Sequence, residues 1–284
     1  MVLDNTRALD IRTERRSSEN VTVARYADPA EVSSYVASYE GWGPSARYFW
    51  SRLYLIEKVL RACRGGELLD VGCGPGMMVS RLLDTRGGDF RITACDRSPA
   101  MIKAVAHRVP AAGDIRLAVA SIEDMPFEDD EFDVVLGMGV LEYVDPRLAV
   151  REIARVTRDD GLVVVTMLNP LSPYRLFDWL VHLPAVRLAG QIERLLRIRE
   201  GRRHAVPKSG VRALTVTRLR RILRSEGLRP ESLAYYDVTL LLPPFDRVIR
   251  RWARRWRDHP ETTVRTGIRG RLGTGYLVTA RRMD

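Results

Sequence analysis

A short apolar strand that runs straight into three alternating glycines determines much about this chain. Residues 67–76 read Glu-Leu-Leu-Asp-Val-Gly-Cys-Gly-Pro-Gly, which places glycines at 72, 74 and 76. Alternating glycines let the backbone turn sharply and leave main-chain N–H groups open to a ligand, and the helix that follows adds partial positive charge. The loop lacks the Gly-Lys-Ser/Thr of NTPases, and its spacing does not fit the Gly-x-Gly-x-x-Gly of dinucleotide enzymes. It therefore predicts a nucleotide-like ligand of another class.

Two acidic residues flank this loop. Asp70 would repel a pyrophosphate, but it suits a cationic ligand that carries an amino group and a sulfonium. Asp96 follows a second apolar strand, 91–95, about twenty residues after the last glycine, where a doubly wound sheet presents a carboxylate to ribose hydroxyls. Ser98, which precedes Pro99, is the better helix N-cap and leaves Asp96 for the ligand.

Strands and helices alternate along the sequence, which predicts a parallel sheet. We expect strands near 67–71, 91–95, 115–119, 132–136, 162–167, 228–236 and 276–281, and helices near 52–62, 76–84, 99–107, 147–156 and 215–226. Ligands bind beyond the carboxyl ends of such strands, so Gly72, Asp96, Ser121 and Gly137 should lie along one edge. The predicted fold class is α/β, a Rossmann-like, doubly wound, seven-stranded sheet with an N-terminal helical arm and a helical lid insertion.

Further motifs follow the glycine loop in order, and together they carry a family resemblance. They are Asp96-Arg-Ser-Pro-Ala-Met101, Met125-Pro126-Phe127, Phe132-Asp133-Val134-Val135, Leu141-Glu142-Tyr143-Val144-Asp145-Pro146 and Arg155-Val156-Thr157-Arg158-Asp159-Asp160-Gly161. The chain resembles the class I S-adenosylmethionine-dependent methyltransferases, particularly the type 11-like family that acts on small molecules. The resemblance covers roughly residues 35–284.

This resemblance implies S-adenosyl-L-methionine as the cofactor. The backbone of residues 72–76 would hold the methionine moiety, Asp96 the ribose hydroxyls, and Ser121 with Ile122 would border the adenine. Family members often carry Asp where Ser121 stands, and a neutral hydroxyl accepts less strongly, so adenine recognition would depend on the Ile122 backbone and on packing by Arg97. The implied cofactor-binding residues are Asp70, Gly72, Cys73, Gly74, Gly76, Asp96, Arg97, Met101, Ser121, Ile122 and Gly137.

Methyl transfer from a sulfonium requires an aligned nucleophile and a site that excludes water, and we expect no metal. A hydroxyl or ammonium nucleophile also needs a base. His204 is the first candidate, because Arg202 and Arg203 beside it would keep the imidazole neutral; the alternative is an exposed loop histidine. The rival candidates are Glu142, Tyr143 and His182.

The segments outside the minimal fold should determine specificity. The long connection after the fifth strand predicts a lid at about 169–213, because such loops are usually short. Its apolar part, 173–184, either covers an apolar substrate or packs on the domain or on a second subunit. We assign 1–45 to the arm and 46–284 to the cofactor-binding domain. Aromatic residues in the arm, namely Tyr26, Tyr35, Tyr39 and Trp42, either close over the ligand or simply pack.

A basic amphipathic helix is expected at about 245–258. Its apolar residues stand at helical spacing, with arginines on the opposite face: Phe245, Val248, Ile249, Trp252 and Trp256. Such a helix fits either a membrane surface or an ordinary position covering the core. From Arg197 onward the chain has 22 basic and 8 acidic residues, so the net charge of +10 is concentrated in this region.

The predicted cellular location follows from the absence of membrane-spanning, signal-peptide and disulfide patterns in the sequence. No stretch approaches the ~20 apolar residues that cross a bilayer, and the charged N-terminus does not read as a signal peptide. Three scattered cysteines, Cys63, Cys73 and Cys95, predict neither a disulfide framework nor a zinc site. We expect a cytoplasmic protein, with peripheral contact at the inner membrane surface as the alternative.

The leading functional hypothesis is methylation of O, N or C on a small, largely apolar acceptor such as a natural-product intermediate. Alternative acceptors are a membrane-associated lipid, quinone or glycolipid. The terminal positive charge permits nucleic-acid methylation, but Asn169-Pro170-Leu171 is not the motif of amino-directed nucleic-acid enzymes, so no stable nucleic-acid partner is expected. A non-catalytic cofactor-binding protein and a homo-oligomer also remain open.

Overall fold

A computed structural model of the chain describes residues 29–41, 43–109, 115–196, 211–239 and 258–283. The strands are β1 Gly66–Val71, β2 Phe90–Asp96, β3 Ile115–Val119, β4 Phe132–Gly137, β5 Thr157–Leu168, β6 Leu228–Val238 and β7 Gly273–Arg282. They form one seven-stranded sheet in the order β3-β2-β1-β4-β5-β7-β6, in which β7 runs antiparallel to both β5 and β6. The predicted Rossmann-like fold class and all seven predicted strands are confirmed, but the expectation of a parallel sheet is wrong for β7, so the sheet is mixed.

Helices flank this sheet and connect its strands. They are α1 Pro29–Glu40, α2 Pro44–Leu60, α3 Met77–Arg86, α4 Pro99–Arg108, α5 Pro146–Val156, α6 Pro173–Phe177, α7 Leu183–Leu195, α8 Val216–Ser225 and α9 Gly267–Gly270. Ser98 is the N-cap of α4, as predicted, because its side chain accepts from the Met101 N–H at 3.3 Å.

The helix predicted near 52–62 begins earlier than expected. Helix α2 starts at Pro44, where a proline ring fixes φ at a value suited to a first turn and the missing N–H costs no hydrogen bond. Its buried apolar residues recur every three or four positions, namely Ala46, Phe49, Leu53, Ile56 and Leu60. This stripe places α2 against the sheet.

Both faces of the sheet are covered. On one face Leu68, Val134 and Leu136 pack with residues of α2, α3 and α4, and on the other Leu69 and Val135 pack with α5 and α8. Neighbouring strand residues point to opposite faces, so an uninterrupted apolar run is buried on both sides. The centre of the sheet thereby forms a rigid support for the loops at its edge.

Contacts far apart in sequence join α2 to the last two strands. The buried Arg47 guanidinium forms an ion pair with Asp237 of β6, whose φ is +56°. Thr274 of β7 donates to the same carboxylate, and the hydroxyls of Tyr48 and Tyr236 lie 2.8 Å apart. These contacts fix α2 over the β6–β7 side of the sheet.

The predicted lid region contains α6, one π-helical turn at Asp178–His182, and α7. None of the described residues in these three elements is buried, and Leu180, Leu188 and Leu195 are among their exposed apolar side chains. The lid remains a prediction. Within the described parts of the chain, no helix has the length and apolarity to cross a bilayer.

Several predicted features lie outside the described residues. They are Tyr26, Trp42, Arg202, Arg203, His204 and the amphipathic stretch Phe245–Trp256. His182, in the π-helical turn, is described and half-buried.

Candidate active site

The glycine loop adopts the conformation that its sequence predicts. Gly72, Gly74 and Gly76 have φ values of +68°, +54° and +76°, a region that side-chain-bearing residues rarely adopt. The N–H groups of Gly72 and Cys73 both donate to the carbonyl of Cys95, at 2.8 and 3.0 Å. A side chain on Gly74 would meet nothing within 4 Å, so space lies directly above the loop. The loop is therefore held by β2 and is open to a ligand.

Asp96 connects the loop to the next helix. Its carboxylate accepts from the Gly74 N–H at 3.0 Å and from the Ser98 N–H at 2.9 Å. Burial raises the pKa of Asp96, and these two backbone donors oppose the rise. A carboxylate can accept about four hydrogen bonds, so two of its acceptor positions remain for ribose hydroxyls. Asp96 thus positions the loop and also lines the cleft.

Asp70 is a buried acid at the end of β1. It is fully shielded from solvent, and neither of its carboxylate oxygens has a hydrogen-bond partner within the part of the chain that the structure describes. Burial and, to a smaller extent, the Asp96 charge raise the pKa of Asp70 to about 7, although Arg52 opposes the rise. The carboxylate lies at the base of the glycine loop and is not among the residues that line the cleft above it, so it favours the ammonium group of S-adenosylmethionine through its negative charge.

A cleft opens above these residues at the carboxyl ends of the strands. It is lined by Tyr35, Gly72, Gly74, Asp96, Arg97, Ser98, Met101, Ala120, Ile122, Met138, Gly139, Val140, Tyr143 and Val144. Seven of the residues assigned from sequence are in this set: Gly72, Gly74, Asp96, Arg97, Met101, Ile122 and Tyr143. Most of the remaining wall is apolar, which suits an adenine ring and an apolar acceptor.

Other assigned residues lie beside the cleft and do not line it. The Cys73 side chain is buried in the core, and a side chain on Gly76 would press on Val105. The hydroxyl of Ser121 accepts from the Glu123 N–H at 3.4 Å. Gly137, the last residue of β4, packs against Val165. These residues shape the backbone around the cleft.

Gly139 separates the cofactor cleft from a polar cluster inside the protein. The members of this polar cluster are Tyr48, Arg52, Glu142 and Tyr236. Its φ is +69°, its N–H donates to the Thr166 hydroxyl at 2.9 Å, and a methyl group at this position would overlap the guanidinium of Arg52. Arg52 is 6% exposed and lies over the rings of Tyr48 and Phe49, at 5.2 and 5.7 Å from their centroids. The cluster thus touches the backbone that lines the cleft.

Glu142 belongs to this polar cluster. It is 3% exposed, and burial raises its pKa to about 7 although Arg52 and Arg175 oppose the rise. Its Oε2 has no hydrogen-bond partner among the described residues. The adjacent Tyr143 instead lines the cofactor cleft and is partly exposed. Two neighbouring candidates for catalysis therefore face different environments, and only Glu142 combines burial with a pKa near neutrality.

Sequence reasoning missed Arg52, Tyr48 and Gly139. An arginine is usually exposed, so no local pattern marked Arg52 as buried. One signal was present, because Tyr48 and Arg52 are four residues apart and lie on the same face of a helix. Tyr35 was predicted to close over the ligand or to pack, and the structure places it in the cleft wall, in edge contact with Tyr39.

Comparisons with known proteins agree with this geometry. The model of a methyltransferase domain family matches residues 69–165. A ubiquinone/menaquinone biosynthesis C-methyltransferase of Geotalea daltonii is 32% identical over 120 residues, which is 41% of this chain and 50% of that protein. A malonyl-[acyl-carrier protein] O-methyltransferase of Herminiimonas arsenicoxydans is 35% identical over 121 residues, which is 43% of this chain and 44% of that protein. The chain spans about half the length of these curated relatives.

A solved structure supports the fold over a longer stretch. A SAM-dependent methyltransferase from Thermotoga maritima superposes with a TM-score of 0.54 at 16% identity, covering 88% of this chain and 97% of that one. Because its sequence identity is low, this likeness concerns the fold.

Proposed function

We propose that this chain, in which residues 69–165 match the model of a methyltransferase domain family, transfers the methyl group of S-adenosylmethionine to a small, largely apolar acceptor. The observation that supports this proposal is the open glycine loop, which lies between two carboxylates in different environments. Asp96 offers acceptor positions to ribose, and the unpartnered Asp70 suits an ammonium. The roles of Asp70 and Asp96 are both explained by a ligand that carries no phosphate group.

S-adenosylmethionine, when bound, supplies a methyl group that its sulfonium already activates. The protein's part is to bind, align and keep water out. The 72–76 backbone would hold the amino acid portion, and Ile122 and Met101 would pack on the adenine. Tyr35 and Tyr143 lie on the cleft wall, where they would narrow its opening.

The acceptor class follows from the composition of the wall and the lid. Met138, Val140 and Val144 give the cleft an apolar wall beyond the glycine loop. The π-helical turn and helix α7 expose further apolar side chains, including Leu180 and Leu195. An apolar acceptor would gain about 25 cal/mol for each Å² it buries against such surfaces. A natural-product intermediate or a similar small molecule is the leading class.

A membrane-associated lipid or quinone is the second candidate. The observation that favours it is the similarity to a quinone C-methyltransferase together with the exposed apolar side chains of α7. Under this proposal the chain would work in the cytoplasm with peripheral contact at a membrane. The basic helix predicted at 245–258, which lies outside the described residues, would contribute to that contact.

The test uses methyl-labelled S-adenosylmethionine with the purified protein and a bacterial cell extract. Cofactor affinity is first measured by calorimetry, so that failure to bind and failure to turn over are distinguished. Label in small organic-soluble products supports the proposal, and label in long-chain lipids or quinones supports the second candidate. Label in nucleic acid would refute both acceptor classes. Binding without any turnover on several extracts would favour a non-catalytic protein.

A further inference from the structure

We propose that Arg52, Glu142 and the paired hydroxyls of Tyr48 and Tyr236 form an acceptor subsite for an ionisable hydroxyl group carried on an apolar skeleton. This inference rests on the proposed methyltransferase function and specifies the chemistry of its acceptor. The members come from α2, from the loop after β4, and from β6, so the fold alone brings them together.

The position of the cluster indicates the acceptor side of the reaction centre. One side of the Gly139 backbone lines the cofactor cleft. The Arg52 guanidinium lies against the opposite side of this backbone. Asp96 and the glycine loop lie at the ends of β1 and β2, whereas Arg52 lies beside Gly139, whose N–H donates to Thr166 of β5, and its charge interacts with Tyr236 of β6. In the sheet order β2-β1-β4-β5-β7-β6, β4 separates the two groups. The cluster therefore lies on the side of the cleft away from the ribose site.

The cluster contains unsatisfied polar groups behind the wall of the cleft, although none of its four members is among the residues that line the cleft itself. Arg52 and Glu142 are both more than nine-tenths buried, and neither Arg52 Nε nor Glu142 Oε2 has a hydrogen-bond partner within the described ranges. Buried polar groups are rarely left unpaired in proteins, so such groups near a cleft call for an explanation. A ligand that accepts from a guanidinium and donates to a carboxylate would satisfy both.

An ionisable hydroxyl has both properties. In the proposed step the acceptor O–H bond breaks, its electron pair stays on oxygen, and the proton moves to the Glu142 carboxylate. The resulting oxyanion lies beside the Arg52 guanidinium, and charge is conserved because a carboxylate becomes neutral as the hydroxyl becomes anionic. The hydroxyls of Tyr48 and Tyr236 share one hydrogen bond at 2.8 Å, so the hydroxyl that accepts in this pair keeps its own proton and can donate it to the oxyanion.

The charged surroundings of Glu142 suit this role. Burial raises its pKa to about 7, so it is partly ionised near neutral pH, as a base should be. The charged groups that act on it are Arg52 of α2 and Arg175 of α6, and its own charge acts on Tyr48 of α2, Tyr236 of β6 and Tyr276 of β7. A phenol or enol exchanges its proton with such a base more readily than an alcohol does.

The experiment uses 4-nitrophenol as the probe, because its ionised form is yellow. The protein is saturated with S-adenosylhomocysteine, and the ionisation of bound 4-nitrophenol is followed by absorbance across a pH series. We expect binding to lower the apparent pKa of the probe by about one to three pH units, which is the usual effect of one opposite charge at close range. Arg52→Gln should abolish this shift, and Arg52→Lys should keep part of it.

Two controls separate the subsite from folding and from the cofactor. Arg116→Gln removes an exposed arginine of β3 that pairs with Glu131, and it should leave the probe shift unchanged. Circular dichroism tests the fold of each variant, and Arg52→Lys keeps the test informative if Arg52→Gln does not fold. Affinity for S-adenosylhomocysteine, measured by calorimetry, should change by less than about threefold in the Arg52 variants.

Each contrary outcome has a distinct meaning. An absent shift in the native protein, or an equal shift in Arg52→Gln, would overturn the subsite while leaving the proposed function intact. A tenfold or larger loss of cofactor affinity in Arg52→Gln would assign Arg52 to the cofactor and would also overturn the subsite. If the native protein does not bind S-adenosylhomocysteine, the proposed function itself fails.

Discussion

Replacing Asp70 by Asn should stabilise the free protein and weaken cofactor binding. The cause is the buried carboxylate, whose pKa of about 7 lies well above its usual value of 3.8. The folded state therefore holds a proton that the unfolded state releases between about pH 4 and pH 7, and the free energy of unfolding falls as pH rises through this window. The full cost of ionising the buried group at pH 8 is of order 4 kcal/mol.

Asparagine removes that charge but leaves a neutral amide in the same place. An unpaired buried amide costs about 1–3 kcal/mol, so the net stabilisation at pH 8 should be about 1–3 kcal/mol. At pH 4 the native carboxyl is protonated, and the difference should nearly vanish. Denaturant unfolding at both pH values measures these quantities. Asp84→Asn, an exposed change on α3, is the matched control and should stay within about 0.5 kcal/mol.

Although Asp70→Asn should stabilise the free protein, it should weaken the binding of the cofactor. Loss of one hydrogen bond to a charged group costs about 1.5–3 kcal/mol, which is roughly a 10- to 150-fold weaker Kd for S-adenosylmethionine. The native Kd should improve as pH rises toward 7, because binding an ammonium requires the ionised carboxylate, and the variant's Kd should not depend on pH in this range. Calorimetry in two buffers of different ionisation enthalpy measures the proton released. A variant that is less stable at pH 8, or that binds as tightly as the native protein, would refute this account of Asp70.

Three further predictions follow from other contacts. Gly139→Ala should cost about 1–3 kcal/mol more in denaturant unfolding than Gly227→Ala, since both have positive φ but only the first would overlap Arg52; equal losses would count against the overlap. Arg47→Ala should lower the free energy of unfolding by about 3–5 kcal/mol because it leaves Asp237 buried without its ion pair, and a change below 1 kcal/mol would contradict this. Asp96→Ala should weaken cofactor binding by about 1–3 kcal/mol in calorimetry, and unchanged affinity would contradict the ribose assignment.

The fold was predictable because its signals are local. Strand β1 is an apolar run ending in glycines with positive φ, and β4 is another apolar run, so each could be located without knowledge of its neighbours. The acidic residue after β2 could likewise be assigned, because position in a parallel sheet determines which edge it occupies.

The acceptor side was less predictable because its contacts span the chain. Tyr48 and Tyr236 are 188 positions apart, and nothing near either residue indicates the other. Arg52 was missed for a related reason, since burial of a charge depends on aromatic rings and carboxylates that only the folded chain assembles. The beginning of α2 at Pro44 was missed because the segment from Pro44 to Ser51 mixes polar and aromatic residues.

The position of β7 between β5 and β6 imposes an order on folding. Strand β6 pairs only with β7 among the described strands, so it cannot join the sheet until the later strand is available. Strands β1 to β4, which support the glycine loop and Asp96, form a contiguous set much earlier in synthesis. Helix α2 precedes all of them, but its ion pair with Asp237 forms only after β6 is in place. The cofactor side can therefore form from strands that are close in sequence, whereas the acceptor side depends on contacts between distant segments, which slow folding.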